Sequence, residues 1–570
     1  MPFSGISFFG PPALAGIILA GCLAVSPPAV AKTNDSQAAD LQKNTFVGNY
    51  LAALHAQNDG DFAAAAAYYG AALKQRPETP GLLRQAFIVH LIEGRMAEAV
   101  KLAEKFLKDE PDQTIARMTI AVEHIKHKRY DKAAQIMDKL PDQGLSGLTK
   151  PLLLGWTRFA QGKPSDALAA IDKMSKTEGV SNLVGIHRAL LLQLDGKVAD
   201  AAKELSQVAE RQSPPSSRVT HLLGALYERK GDKEKARAIY KLYQDEHSAT
   251  RLMDKAMARL DGKSTPPLQI KTGQDGVAEA LYDVGSSVRR RNAQETAIAL
   301  IRLALYLKPD FPVAQYILAD ILEQEERLEQ AIKIYSSVRG ESAYGWSARL
   351  QAAALLNDLK KADEAIKKLS QLIKERPNLP DGHLHLGDVY RRGEKYDQAA
   401  DSYSKAIQIV GKPESHHWSL FYSRGIVLER AKRWKDSESD LLKALDLKPE
   451  QPYVLNYLGY SWIERNEHLE RAMAMIKKAV ELAPNDGYIA DSLGWAFYRQ
   501  KKYADAVREL ERAVELRPQD PVINDHLGDA YWRVGRKLEA KFQWKRALSN
   551  KPEEKIVPDI KDKLEKGLDG

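Results

Sequence analysis

Residues 487–520 read GYIADSLGWAFYRQKKYADAVRELERAVELRPQD. Counting Gly487 as position 1, Leu493 and Gly494 stand at 7 and 8, followed by Phe497 at 11, Tyr503 at 17, Ala506 at 20, Leu510 at 24, Ala513 at 27 and Pro518 at 32. The next stretch, counted from Pro521, repeats the order with Leu527-Gly528, Tyr531, Ala540, Trp544, Ala547 and Pro552. The same ruler fits starts at 46, 80, 114, 148, 182, 217, 278, 312, 346, 380, 418 and 452, which makes fourteen units. Most intervals are 34 residues; those from 182 and 452 are 35, that from 380 is 38 and that from 217 is 61.

Each unit reads as two antiparallel helices whose backbones come close together. Gly at position 8 (Gly155, Gly224, Gly285, Gly387, Gly425, Gly459) and Ala at position 20 (Ala65, Ala99, Ala133, Ala167, Ala331, Ala399) remove the side chains that would hold the pair apart. Large residues fill the remaining space at helical spacing: Tyr227, Tyr390 and Tyr531 at position 11, and Tyr69, Tyr240 and Tyr403 at position 24. Pro77, Pro111, Pro309, Pro377 and Pro449 at position 32 cannot continue the second helix and mark the turn into the next unit.

This pattern resembles the tetratricopeptide repeat (TPR), and the resemblance implies an all-α fold, a TPR α-solenoid superhelix of about fourteen helix pairs. Stacked repeats extend by nearest-neighbour contact, so a chain of 570 residues needs no separate globular cores. A content of 28% charged and 44% hydrophobic residues suits such a soluble array. The spacing predicts an N-terminal array over 46–250, an irregular joint over 251–277, a C-terminal array over 278–554, and a capping helix and tail over 555–570. Within the joint, Leu252, Met253, Met257 and Leu260 form a short amphipathic piece; beyond Pro552, the spacing of Ile556, Ile560 and Leu564 predicts the closing helix.

Residues 1–21 read as a signal peptide and 22–45 as a flexible tether. From Ala13 to Ala24 the chain is apolar apart from glycines and one cysteine, too short for a permanent bilayer span and suited to a secretory signal. Leu19-Ala20-Gly21-Cys22 has the form of a bacterial lipobox, with Cys22, the single cysteine, as the lipidation site. Ala29-Val30-Ala31 before Lys32 is a competing cleavage site that would release a soluble periplasmic protein, and Met1 to Pro12 carry no Lys or Arg.

Enzyme motifs are missing, and no cofactor or metal site is expected. Gly262-Lys263-Ser264 has the tail of a phosphate-binding loop, but Met257 stands where its first glycine belongs. His124 and His127 are one helical turn apart, yet His124 occupies position 11, a core place. His416-His417 after Glu414 lack a full zinc ligand set and read as a turn. The net charge of +8 is spread thinly; Arg289-Arg290-Arg291 is the one compact basic run, read as a solvated face with an acidic partner peptide or anionic lipid as the alternative, and no nucleic-acid stripe accompanies it.

In TPR folds the first helix of each pair lines a concave groove, with positions 2, 5, 9, 12 and 13 turned inward. The resemblance therefore implies a partner-binding groove lined by Tyr453, Asn456, Tyr460, Tyr488, Asp491, Trp495, Tyr498, Arg499, Asp529, Trp532 and Arg533. Tyr, Trp and Arg carry most of the energy at protein interfaces; the structural alternative is that Trp495 and Trp532 pack against the neighbouring unit. The lysine and asparagine set that clamps C-terminal carboxylates in chaperone-binding TPRs does not occur at matching positions.

Signal, lipobox, long array with a mid-chain break, and the run from Leu455-Asn456-Tyr457-Leu458-Gly459-Tyr460 through Asp491-Ser492-Leu493-Gly494-Trp495 together resemble TPR lipoproteins of Gram-negative bacteria. The nearest resemblance is to outer-membrane lipoprotein adaptors that hold a periplasmic carboxy-terminal processing protease and deliver cell-wall hydrolases to it. It implies a noncatalytic adaptor, lipid-anchored on the periplasmic face. The competing expectation is an assembly scaffold for outer-membrane polysaccharide export or secretion machinery, and a third is a regulatory module acting on an envelope enzyme.

Overall fold

A computed structural model of the chain describes residues 45–247, 250–262, 264–289 and 293–568. The lipobox with Cys22, the Ala29-Val30-Ala31 site, Lys263, Arg290 and Arg291 lie outside the described residues. Among the described residues there are thirty α-helices and no strand. The chain divides into two compact units, one ending at Ala365 and one beginning at Ile366.

The first unit contains α1 (Phe46–Asn58), α2 (Phe62–Gln75), α3 (Pro80–Ile92), α4 (Met96–Asp109), α5 (Thr114–Lys126), α6 (Tyr130–Asp138), α7 (Gly144–Ala160), α8 (Pro164–Asp172), α9 (Ser181–Leu194), α10 (Val198–Gln212), α11 (Ser217–Arg229), α12 (Lys233–Glu246), α13 (Asp254–Leu260), α14 (Gly273–Arg289), α15 (Gln294–Leu307), α16 (Pro312–Gln324), α17 (Leu328–Ser337) and α18 (Gly345–Asp358). The division falls inside α19 (Ala362–Glu375). The second unit continues with α20 (Asp381–Arg392), α21 (Tyr396–Val410), α22 (Trp418–Arg430), α23 (Trp434–Leu447), α24 (Pro452–Arg465), α25 (Leu469–Leu482), α26 (Gly487–Arg499), α27 (Tyr503–Leu516), α28 (Pro521–Arg533), α29 (Lys537–Ser549) and α30 (Val557–Lys566).

Helix starts follow the 34-residue ruler, and side-chain caps or an early proline fix several of them. Asp486 accepts from the backbone N–H groups of Tyr488 and Ile489, and Asp520 does the same for Val522 and Ile523. Pro80, Pro312, Pro452 and Pro521 occupy the first helical turn, where the missing N–H costs nothing. Position 15, at the turn between the two helices of a unit, is left-handed throughout the described repeats. Glycine holds it at 60, 94, 162, 196, 231 and 535, whereas Lys128, Glu326, Lys360, Glu394, Lys432, Asn466 and Lys501 adopt it with φ between 56° and 61°.

Within each pair the small residue at position 8 faces the large one at position 24. A Cβ on Gly224 would lie 2.3 Å from the Tyr240 ring, one on Gly387 2.5 Å from Tyr403, and one on Gly528 2.4 Å from Trp544. The buried tyrosines complete the lock with hydrogen bonds back to the first helix: Tyr69 Oη donates to Gln57 at 2.8 Å, Tyr240 Oη to Glu228 at 2.7 Å and Tyr335 Oη to Glu323 at 3.0 Å. Burial pushes the Tyr69 phenol up to about 12, so it stays protonated and donates.

The segment 251–277 lies within the first unit. Met253, Ala256 and Leu260 are buried against Tyr240 and Tyr243, and Arg259 clamps Glu228 through two nitrogens at 2.7 and 2.9 Å. Helix α14 begins at Gly273, five residues before the unit start at 278. Its extra turn exists because glycine permits it: a Cβ on Gly276 would sit 2.0 Å from the Trp156 ring, and one on Gly273 2.6 Å from Ala160.

From there α14 packs on α7 and α9, and α15 packs on α3 and α5. These are the first helices of four earlier units, so the inward face of the early array is covered by the chain's own continuation. A polar seam lies in this contact. Trp156 Nε1 donates to His187 Nδ1 at 3.0 Å, His187 Nε2 stands 3.4 Å from Asp283, and Arg218 pairs with Asp283 at 3.0 Å and with the fully buried Glu279, which Lys308 also reaches at 3.1 Å. Burial works against the Asp283 carboxylate, but the Arg218 charge and the neighbouring His187 outweigh it and hold its pKa below the usual range. At the other end Lys126 Nζ donates to the Tyr306 carbonyl at 2.7 Å, Tyr306 Oη to Glu123 at 2.8 Å, and Arg302 Nε to the Ile92 carbonyl at 2.8 Å.

Candidate partner-binding groove

In the second unit the first helices are α20, α22, α24, α26 and α28, and the inward positions on α24, α26 and α28 carry all eleven groove residues. At the centre, Trp495 stacks on Tyr498 (centroids 4.7 Å apart, planes 9°) and on His526 (4.1 Å, 17°). Glu464 ties the stack to α24: its Oε1 accepts from Trp495 Nε1 at 2.8 Å and from Arg499 Nη1 at 2.6 Å. Arg533 Nε donates to Tyr498 Oη at 3.3 Å, which carries the network to α28. Trp495 is therefore both packed against the neighbouring unit and part of a wet, half-exposed lining.

Asp491 is buried and accepts from His526 Nδ1 at 2.9 and 3.1 Å. Burial alone would lower the His526 pKa; the Asp491 carboxylate, with Asp525 and Asp529 behind it, outweighs that and holds it above the usual histidine range. Tyr460 sits among Glu464, Asp491, Arg499 and Arg430, and burial raises its phenol pKa. Further along, Tyr422 packs edge-on to Tyr457 at 6.0 Å, and Tyr457 Oη donates to Glu429 at 3.2 Å.

Tyr422 Oη and Asn456 Oδ1 are inward polar atoms buried without a hydrogen-bond partner, and Asp525 Oδ1 and Arg391 Nε are two more. Tyr422, Asn456, Asp491 and Asp525 all stand at position 5 of their units and form one row across successive helices. A buried donor or acceptor left unmade costs about 1–3 kcal/mol.

Asp529 and Trp532 have a different role. Lys563 of α30 donates to Asp525 and Asp529 at 2.9 Å each, Trp544 Nε1 donates to Asp529 at 2.9 Å, and Trp532 Nε1 donates to the Leu568 carbonyl at 3.1 Å. Ile560 is fully buried in the same contact. The last turn of the groove is thus closed by the chain's own C-terminal helix, and the open stretch is lined by Tyr453, Asn456, Tyr460, Tyr488, Asp491, Trp495, Tyr498, Arg499 and Arg533. Burial and the neighbouring Asp525 charge push the Asp529 carboxyl up to about 6 against the pull of Lys563.

Tyr422, Glu464 and His526 join the site without having been picked out from sequence. Tyr422 and Glu464 fall at inward positions 5 and 13 of their units, a signal present in the ruler; His526 at position 6 is off that set and enters only by stacking. Elsewhere, Nδ1 of His124 is buried, His127 pairs with Glu123 at 3.2 Å, and His417 Nδ1 accepts from the Glu414 N–H at 2.9 Å in a local turn. Among the described residues no group of three or more His, Cys, Asp or Glu is placed to hold a metal ion, and no helix is long and apolar enough to cross a membrane.

Family models described as TPR repeat and Tetratricopeptide repeat match residues 494–535, 90–145, 188–249 and 350–415. The chain is 25% identical over 197 residues to the TPR repeat-containing protein PA4667 of Pseudomonas aeruginosa, covering 35% of this chain and 33% of that one. It is 22% identical over 156 residues to the human protein O-mannosyl-transferase TMTC1, covering 26% of this chain and 18% of that one. The chain thus spans a third or less of the length of these curated relatives. Among solved structures, the APC/C hetero-tetramer Cut9-Hcn1 aligns at 14% identity and a TM-score of 0.39, covering 93% of this chain and 98% of that one. Yeast Tom70 aligns at 14% and 0.35, covering 94% and 96%. The helix pairs and their 34-residue register agree with the family models: the chain carries tetratricopeptide repeats in the four matched stretches, in an all-α array of the kind that serves as a protein-interaction scaffold.

Proposed function

We propose that the second unit holds an extended segment of a partner protein along the row Tyr422, Asn456 and Asp491, and that the chain serves as a noncatalytic adaptor of the bacterial envelope. The observation that carries the binding reading is the pair of unpartnered buried atoms, Tyr422 Oη and Asn456 Oδ1, on an inward row flanked by Tyr453, Tyr488 and Trp495. Backbone amides and carbonyls of an extended peptide supply the missing partners, and the aromatic side chains supply buried area. Because α14 and α15 occupy the inward face of α3, α5, α7 and α9, binding is assigned to the second unit.

The envelope reading rests on the lipobox at Cys22 and on the resemblance to adaptors of carboxy-terminal processing proteases. In it, acylated Cys22 anchors the chain on the periplasmic face of the outer membrane, and the groove holds such a protease and presents cell-wall hydrolases. The test is affinity purification of a C-terminally tagged full chain from detergent-solubilised membranes, with Cys22→Ala and Asn456→Ala/Trp495→Ala variants, followed by mass spectrometry. Recovery of a processing protease with hydrolases, lost in the groove variant and relocated in the Cys22 variant, supports the role. Recovery of export or secretion components without a protease overturns the adaptor role and leaves a scaffold.

A further inference from the structure

Helix α29 is the second helix of the last repeat and carries two large apolar side chains outside its buried face. Ala540, Trp544 and Ala547 are buried beneath it. On the opposite side Leu538, Phe542, Lys545 and Ser549 follow at three- and four-residue steps and share one outward face. Leu538 is 84% exposed and Phe542 60%, with Val534 of the preceding turn at 39%. Leaving a leucine and a phenylalanine in water one turn apart has a cost that nothing in the repeat fold requires.

The charge around this face has a basic excess. Arg536 is already held by two acids, Glu511 at 2.8 Å and Glu539 at 2.9 Å, which leaves Lys537, Lys541, Lys545 and Arg546 as the basic groups of α29 around the face. The Arg546 guanidinium lies 6.0 Å from the centre of the Phe542 ring. The face is carried on the second helix of its pair, separate from the groove that the first helices line.

We propose that this face is a docking surface for an anionic lipid headgroup layer. A stable protein interface needs roughly 800 Å² per partner with a packed apolar core, and two side chains on one helix with lysines beside them do not provide one. A bilayer surface asks for less: short apolar side chains enter the headgroup boundary, and flanking basic residues are drawn to anionic lipid. The surface would set the last repeat against a membrane independently of how the N-terminus is attached, so the inference stands or falls apart from the adaptor reading.

The test uses the full chain with Cys22→Ser and Ser549→Cys, labelled at 549 with an environment-sensitive fluorophore, and vesicles of phosphatidylethanolamine with phosphatidylglycerol. A probe on this face reports its own immersion whatever the rest of the chain does. The expected result is a blue-shifted emission quenched by nitroxide-bearing lipid and weakened by salt. Leu538→Ser/Phe542→Ser should reduce vesicle partitioning at this site by at least about tenfold, since it removes two apolar anchors. Both positions are exposed, so circular dichroism and melting of the double variant should match the parent. Water-like emission at 549 on vesicle-bound chain overturns the proposal, as does a blue shift that appears only with an acidic protein or with a second copy of this chain.

Discussion

A lysine in the left-handed region is the residue-scale peculiarity of this fold. Lys501 has φ 61° at the turn between α26 and α27, where other repeats place glycine. A side chain there costs roughly 1 kcal/mol, because Cβ crowds the following carbonyl. Lys501→Gly should therefore raise the melting temperature of the second unit, measured by calorimetry, while Gly535→Val at the same position of the next repeat should lower it. Glycines at 60, 94, 162 and 196 already mark this offset in the sequence, but a template made of core residues passes over it: its signal is conformational, not apolar.

Among the elements, α30 depends most on a single contact. Lys563 is largely buried between Asp525 and Asp529, and taking away one partner of a buried ion pair leaves an uncompensated charge at a cost of about 3 kcal/mol. Lys563→Met should loosen α30, seen as faster hydrogen exchange over 557–566 and a lower melting temperature. The same end of the array responds to pH. His526 is held above its usual pKa, so the native state binds its proton more tightly than the unfolded chain does. Its contribution is fully present below the unfolded histidine pKa of about 6.5 and is lost as pH rises through the folded value. Asp529, raised to about 6, also favours the native state on the acid side, since the unfolded carboxyl ionises first. Thus the stability difference between the parent and His526→Gln should shrink from pH 6 towards pH 9 in paired melts. A difference that grows over that range would mean that His526 is neutral in the fold. The closing helix itself is legible in the spacing of Ile556, Ile560 and Leu564; that it reaches Asp529 and Trp532, two residues read as open groove, is not, because the ruler assigns positions without saying which neighbour covers them.

For the whole molecule, the covering of the early inward face decides which surface remains for a partner. Gly276 meets the Trp156 ring so closely that any larger residue must displace α14. Gly276→Val should release α14 and α15 from α7, α9, α3 and α5, detected as lost exchange protection over 273–307 and along α3 and α5, with a cooperative loss of stability. Retained protection over 273–307 would mean that Trp156 moves aside instead. The repeat register, the unit starts, and the small residues at positions 8 and 20 with large ones at 11 and 24 all come from the sequence, because each is a local or nearest-neighbour relation that recurs every 34 residues. Where the array turns back on itself was decided only by tertiary structure. Trp156 and Gly276, or Arg218 and Glu279, are far apart in the chain, and their contact depends on shape and on charges buried together, relations that have no period and leave no mark on a repeat pattern.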